Sequence, residues 1–235
     1  MLLEICASSL TSAINAQAGG AQRIELCCNL EQGGLTPSAA TIQLAREKLD
    51  IDIFVLIRPR IGDFNYSKTE FEQMKANILF CKAIGIDGVV FGILDDNQMI
   101  DVAKNKVLVD LAKPMQTTFH RAFDCLIKPL DNLEKVIDLG FDRILTSGLA
   151  ATAIEGQHLL KALIQQAAGN IIILPGSGLN SQNINDFIRT TGAKEVHASA
   201  KKVIQPKVDS LFSVSYFETD RMEVERLAVL LQQFS

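Results

Sequence analysis

The sequence predicts an α/β fold, one (β/α)8 barrel of the TIM type over residues 1–235, with an irregular segment before the last helix. Three observations predict it. Eight strand-like apolar runs recur along the 235 residues. Their starts lie 21, 29, 35, 29, 27, 28 and 24 residues apart, which leaves room each time for one helix and two short loops. Runs such as Ile53–Ile57 and Ile171–Leu174 are apolar throughout, as parallel strands covered on both faces are. Such a barrel takes about 250 residues. The alternative, an open doubly wound sheet, usually has fewer strands and needs a phosphate loop after the first one. Here Cys6-Ala7-Ser8-Ser9 follows, without glycine.

The eight runs are Leu2–Cys6, Arg23–Cys27, Asp52–Ile57, Asp87–Gly92, Gln116–His120, Arg143–Ser147, Ile171–Leu174 and Glu195–Ser199. Helix punctuation fills the gaps. Ser8 or Ser9 caps a first helix that ends at Gly19-Gly20, and Thr36-Pro37 reads as a cap with proline at the first helical position. Ser67 and Glu70 form a capping-box pattern for a long helix that stops near Gly85. Asp101 caps the fourth helix, and Pro129 opens a fifth that stops at Gly140. The sixth runs over Ala153–Ala168, Ser181 caps the seventh, and Arg221–Phe234 is the last. Lys201–Thr219 is the irregular part. Within it, Ser210–Glu218 alternates apolar and polar residues, as an extra strand or a partner surface would.

Composition narrows the function. Hydrophobic residues are 48% and charged residues 21%, enough apolar material for a core and too much for a disordered chain. The net charge of −4 gives no basic footprint for nucleic acid or an anionic membrane. No apolar run reaches the length of a membrane span, and Met1–Leu10 does not read as a signal peptide. A cytoplasmic location is therefore expected, with the five cysteines reduced.

Catalytic and binding residues of such barrels sit at the C-terminal ends of the strands. Glu4 and Cys6 end the first run on one face, and Glu25 and Cys27 the second. The third runs into Arg58-Pro59-Arg60. His120, Arg121 and Asp124 follow the fifth, and His197 and Ser199 lie on the eighth. Glu4, Glu25, Arg58, His120, Arg121, Asp124 and His197 are thus candidate catalytic residues. Charged groups on apolar strands are costly unless they are paired or used. The bland alternative is that Glu4, Glu25 and Arg58 satisfy one another inside the barrel.

Gly176, Ser177 and Gly178 after the seventh run, with Ser199 and Arg60, form a candidate anion site. Glycines there let backbone N–H groups face an anion, and loops after strands seven and eight often hold phosphate. A plain tight turn is the alternative. Cys6 and Cys27 end neighbouring strands about 4.8 Å apart, where two thiolates can hold a soft ion such as Cu(I). Zinc wants about four ligands, and no recognised Cys/His spacing supplies them. Cys28 points the other way if the strand continues. Cys81 reads as a core residue, His158 as a surface one, and Cys125 lies in a loop.

Seven segments now resemble one family: Gly19–Cys27 through Ser38, Ile57–Ser67, Asp87–Leu94, Thr118–Asp124, Leu139–Gly148, Pro175–Gly178 and Glu195–Ser199. In this order, from about Leu3 to Ala200, they are similar to the CutC family of copper homeostasis proteins. The resemblance implies a TIM-type barrel, a cytoplasmic location, a role in copper handling and a homodimer or larger homo-oligomer. Some members carry two cysteines with twenty residues intervening as proposed Cu(I) ligands, a spacing that maps onto Cys6 and Cys27. Related chains tend to have a small polar residue where Cys28 stands.

Two functions are expected in this order. The first is a copper homeostasis protein binding Cu(I) through Cys6 and Cys27. The alternative is a barrel enzyme using the Glu/His/Arg set on a small anionic or phosphorylated metabolite. A purely structural protein explains the C-terminal segment but not the polar strand ends.

Overall fold

The computed structural model of the chain describes residues 1–208, 211 and 213–234. Eight strands alternate with helices: β1 (Leu2–Ala7), β2 (Arg23–Leu26), β3 (Asp52–Leu56), β4 (Gly88–Phe91), β5 (Gln116–Phe119), β6 (Arg143–Thr146), β7 (Ile172–Pro175) and β8 (Glu195–Ala198). All are parallel to their neighbours, in the order β7-β6-β5-β4-β3-β2-β1-β8. The two ends of that order meet: a Cβ on Gly176, just after β7, would lie 3.3 Å from His197 on β8. This is the expected (β/α)8 barrel.

Strand alternation sorts the side chains. Leu3, Ile5, Ile24, Leu26, Ile53 and Val55 join the main core under the helices. Cys6, Cys27, Phe54, Leu56 and Val90 form a second buried cluster, inside the barrel. Phe54 fills the barrel's middle, and its ring crosses β4 so closely that a Cβ on Gly88 would lie 2.6 Å from it. Only glycine admits that approach.

The helices are α1 (Leu10–Ala18), α2 (Ala39–Lys48), α3 (Lys68–Ala83), α4 (Val102–Ala112), α5 (Pro129–Leu139), α6 (Gln157–Ala167), α7 (Ile184–Thr191) and α8 (Arg221–Gln232). Ser9 caps α1, Asp101 caps α4, and Pro129 opens α5, which ends on Gly140 with φ +88°. Ser67 and Glu70 make the reciprocal capping box of α3.

Three helix starts differ from the sequence reading. α2 is capped by Ser38 rather than opened by Pro37. Thr36 has other work: its hydroxyl donates to the Arg58 carbonyl and accepts from the Arg58 N–H. α6 begins at Gln157 rather than Ala153, because Gly156 first brings the chain against the Ser147 carbonyl. Asn183, not Ser181, precedes α7, since the Ser181 N–H and hydroxyl both bond Glu223 of α8.

The segment before α8 is less irregular than expected. β9 (Lys201–Ile204) and β10 (Tyr216–Thr219) pair as an antiparallel hairpin. The expected extra strand from Ser210 is thus realised from Tyr216 on; Asp209, Ser210 and Phe212 lie outside the described residues. Asn15 of α1 ties the hairpin down by donating to the Thr219 carbonyl. α8 buries Val224, Leu227 and Leu231. Among the described residues no helix is long and apolar enough to cross a membrane.

Candidate functional site

The barrel interior has a closed floor and an open mouth. On the floor, fully buried Arg23 pairs with Glu4 and with Glu195, and Arg143 pairs with Glu195 at 2.9 Å. Both guanidiniums lie against Phe54, with ring centroids 4.8 and 5.2 Å away. Arg143 also donates to the Gln116 side chain at 2.6 Å. Two cations thus face two carboxylates. Burial would raise the Glu4 pKa, but Arg23 and then His197 overcome it and hold it down at about 2.

Glu4 links floor to mouth. Its Oε1 accepts from His197 Nδ1 at 2.7 Å, while His197 Nε2 lies 3.8 Å from Glu25. Burial opposes a charge on His197, yet Cys6, Glu4 and Glu25 together raise its pKa well above the usual value. Its acidic neighbours thus favour the protonated ring. Burial raises the pKa of Glu25. Cys6 Sγ lies 3.7 Å from Cys27 Sγ. The neighbouring Cys27 thiol and burial both push the Cys6 thiol well up. Ligand atoms of Cys6, Glu25 and His197 all lie within 4.8 Å of one another.

Above these groups opens a cavity of about 460 Å³. The β1–β2 side contributes Cys6, Glu25 and Cys27, and the β7–β8 side Ser177, Gly178, His197 and Ser199. Arg58, His120 and Arg121 complete the wall. Most of the sequence-derived residues therefore converge. Four do not line the cavity. Glu4 lies beneath it. Asp124 is drawn into the end of β6, accepting from Thr146, Ser147 and the Leu149 N–H, and it pairs with Arg121 at 2.7 Å. Gly176 gives its N–H to the Thr146 carbonyl. Arg60 pairs instead with Asp63 and Glu70 on the outer side of the loop. Cys28 also turns away, donating to the Thr36 carbonyl.

Arg58 and His120 are held differently from a free ligand-binding pair. One Arg58 nitrogen faces the carbonyls of Gln32, Gly33 and Gly34, and the other bonds that of Gly62. Its Nε has no partner among the described residues. The guanidinium thus staples two loops while its charge meets no carboxylate among the described residues. The His120 Nδ1 accepts the Ala122 N–H at 3.2 Å, which leaves the ring proton on Nε2. That Nε2 is buried and unpartnered among the described residues. Burial and then the Arg58 charge lower the His120 pKa to about 3, so the ring is neutral.

The sequence reading did not single out Lys201, Phe64, Leu30 or Thr152, which also line the cavity. Lys201 had a usable signal: it lies two residues beyond Ser199, at the end of the eighth strand. Phe64 stacks at 4.7 Å on His120 and at 5.1 Å under Arg58, a contact no spacing rule reveals.

Fold and site together define a (β/α)8-barrel protein whose strand ends enclose a thiol pair, a buried histidine and an excess of cations. The chain belongs to the CutC family, whose pattern it matches over residues 1–202. It is 46% identical over 239 residues to a CutC family protein of Xanthomonas axonopodis, covering 99% of this chain and 100% of that one. It is also 46% identical over 200 residues to the human protein named copper homeostasis protein cutC homolog, covering 85% of this chain and 73% of the human one. A crystal structure of CutC from Streptococcus agalactiae superposes with a TM-score of 0.81 at 34% identity, over 85% of this chain and 98% of that one.

Proposed function

We propose that this chain is a copper homeostasis protein that binds Cu(I) at the barrel mouth through Cys6 and Cys27. The observation that carries the reading is the 3.7 Å separation of the two buried sulfurs beside His197 and Glu25. Thiolates select soft ions such as Cu(I). With a metal–sulfur bond of about 2.3 Å, sulfurs 3.7 Å apart subtend roughly 107° at the ion. That angle belongs to a bent site with a third donor, which His197 would supply on releasing a proton, its ligand atom lying within 4.8 Å of those of Cys6 and Glu25. The carboxylate behind the other ring nitrogen, Glu4, fixes the imidazole's orientation, as second-shell carboxylates do in metal sites. Human and mouse relatives named for copper homeostasis support the same reading.

The test is an anaerobic Cu(I) titration against a competing chelator, with Zn(II) run in parallel because the four donors also suit zinc. The expected result is one Cu(I) per chain, bound more tightly than Zn(II) and lost in the Cys6→Ser/Cys27→Ser double variant. Unchanged Cu(I) affinity in that variant overturns the reading.

A second reading is an acid–base site acting on a small anionic metabolite. It is favoured by one observation: Glu25 and His197, a carboxyl and an imidazole 3.8 Å apart, both line the cavity.

A further inference from the structure

The charges around the cavity do not balance. Arg58, Arg121 and Lys201 line it, against one carboxylate, Glu25. Arg121 is matched by Asp124 behind it. Among the described residues Arg58 and Lys201 have no carboxylate partner at all. Yet the chain as a whole carries −4. A local cation excess in an acidic protein, enclosed by low-dielectric walls, concentrates anions.

Donors gather on the β7–β8 side. Ser177 and Gly178 are successive residues with φ of +82° and +78°. The Ser177 hydroxyl is spent on the Ala151 carbonyl, and the Gly176 N–H on Thr146. The backbone N–H groups of Ser177 and Gly178 have no acceptor among the described residues. A Cβ on Gly178 would press to 3.2 Å on Thr152 and would strain that φ, so glycine keeps the loop open here. The Ser199 hydroxyl is likewise unpartnered among the described residues. Lys201 enters from the first residue of β9, its ammonium 3.9 Å from the Phe217 ring and without an ion-pair partner among the described residues. The Nε2 proton of buried His120, elsewhere in the same cavity and without an acceptor among the described residues, is an independent sign that a ligand acceptor is missing.

We propose that the cavity holds a small phosphorylated metabolite, its phosphate cradled by the Ser177 and Gly178 N–H groups, the Ser199 hydroxyl and the Lys201 ammonium. The loops after strands seven and eight are where barrels of this class commonly place a phosphate. About 460 Å³ suits a molecule of metabolite size. The body of the ligand then reaches toward His120, which donates from Nε2. The proposal does not rest on the copper reading; it supplies the ligand class for the acid–base one.

The test is calorimetric titration of the full-length, metal-free protein with inorganic phosphate and with glycerol 3-phosphate, and chloride at matched ionic strength as the blank. One glycerol 3-phosphate should bind per chain, more tightly than inorganic phosphate. Lys201→Met should weaken it by at least about tenfold, as loss of a charge-assisted hydrogen bond does. Ser199→Ala should weaken it less. Cys6→Ser/Cys27→Ser should leave it unchanged, and Lys201→Met should leave Cu(I) binding unchanged. Absence of binding by either probe overturns the proposal. So does equal affinity in Lys201→Met and Ser199→Ala, or loss of phosphate binding in the cysteine variant.

Discussion

The floor and the mouth of this barrel both carry buried charge and do opposite things with it. On the floor, Arg23 and Arg143 meet Glu4 and Glu195, charge for charge, around Phe54. At the mouth, among the described residues, Arg58 and Lys201 meet no carboxylate and His120 Nε2 has no acceptor, while two thiols face each other. Buried charge is therefore not in itself a sign of function. What marks the site is polar capacity left over after the protein's own groups have been paired.

The largest expected effect breaks the floor. Arg23→Met leaves buried Glu4 to the His197 ring and Glu195 to Arg143, at a cost of roughly 3–5 kcal/mol. Urea unfolding measures it. A loss below about 1 kcal/mol would mean that the floor charges are not desolvated and that the contrast with the mouth is false.

Acid separates the two layers. The pKa of folded His120 is depressed to about 3 from 6.5. The unfolded chain gains this proton near 6.5 while the folded one does not, so stability falls as pH drops below that value. By pH 4.5 the loss is about 3 kcal/mol. Glu4, lowered to about 2 from 4.5, contributes stability that is present above 4.5 and lost as pH falls toward 2. The mouth should therefore yield first and the floor later. Unfolding free energies of His120→Gln across this range should lack the upper limb. An unchanged slope between pH 6.5 and 4.5 would show that His120 is not held neutral.

The smallest effect comes from a residue outside both layers. Arg60→Ala removes half-exposed pairs with Asp63 and Glu70 and should change stability by less than about 1 kcal/mol. It should leave Cu(I) and phosphate titrations where they were. A binding defect would mean that the mouth extends to Arg60.

Much of the fold was legible because its signals are local. Strand spacing and apolar runs marked all eight barrel strands, and Ser67 with Glu70 marked α3. Helix starts went wrong where several capping residues stand in a row. Thr36 and Ser38 can both cap, and the Arg58 backbone claimed the first. Ser181 was claimed by Glu223, forty-two residues away. The candidate site was legible through the two-residue period, which aligned Glu4 with Cys6 and Glu25 with Cys27. That period could not say how deep each residue lies. Glu4 therefore reads like Glu25 in the sequence, although it lies beneath the cavity that Glu25 lines.

By itself, then, the sequence determined the barrel, the strand faces and the cysteine pair, since each follows from periodicities of two and of about 28 residues. Only the tertiary structure decided which charges neutralise one another. Arg58 and Arg60, one proline apart, diverge because one turns in against loop carbonyls and the other out to Asp63 and Glu70. Lys201 joins the cavity because Ala200, at φ +42°, swings the chain from β8 into the hairpin. Pairing depends on which groups meet across the barrel, and that is fixed when the sheet closes rather than by neighbours along the chain.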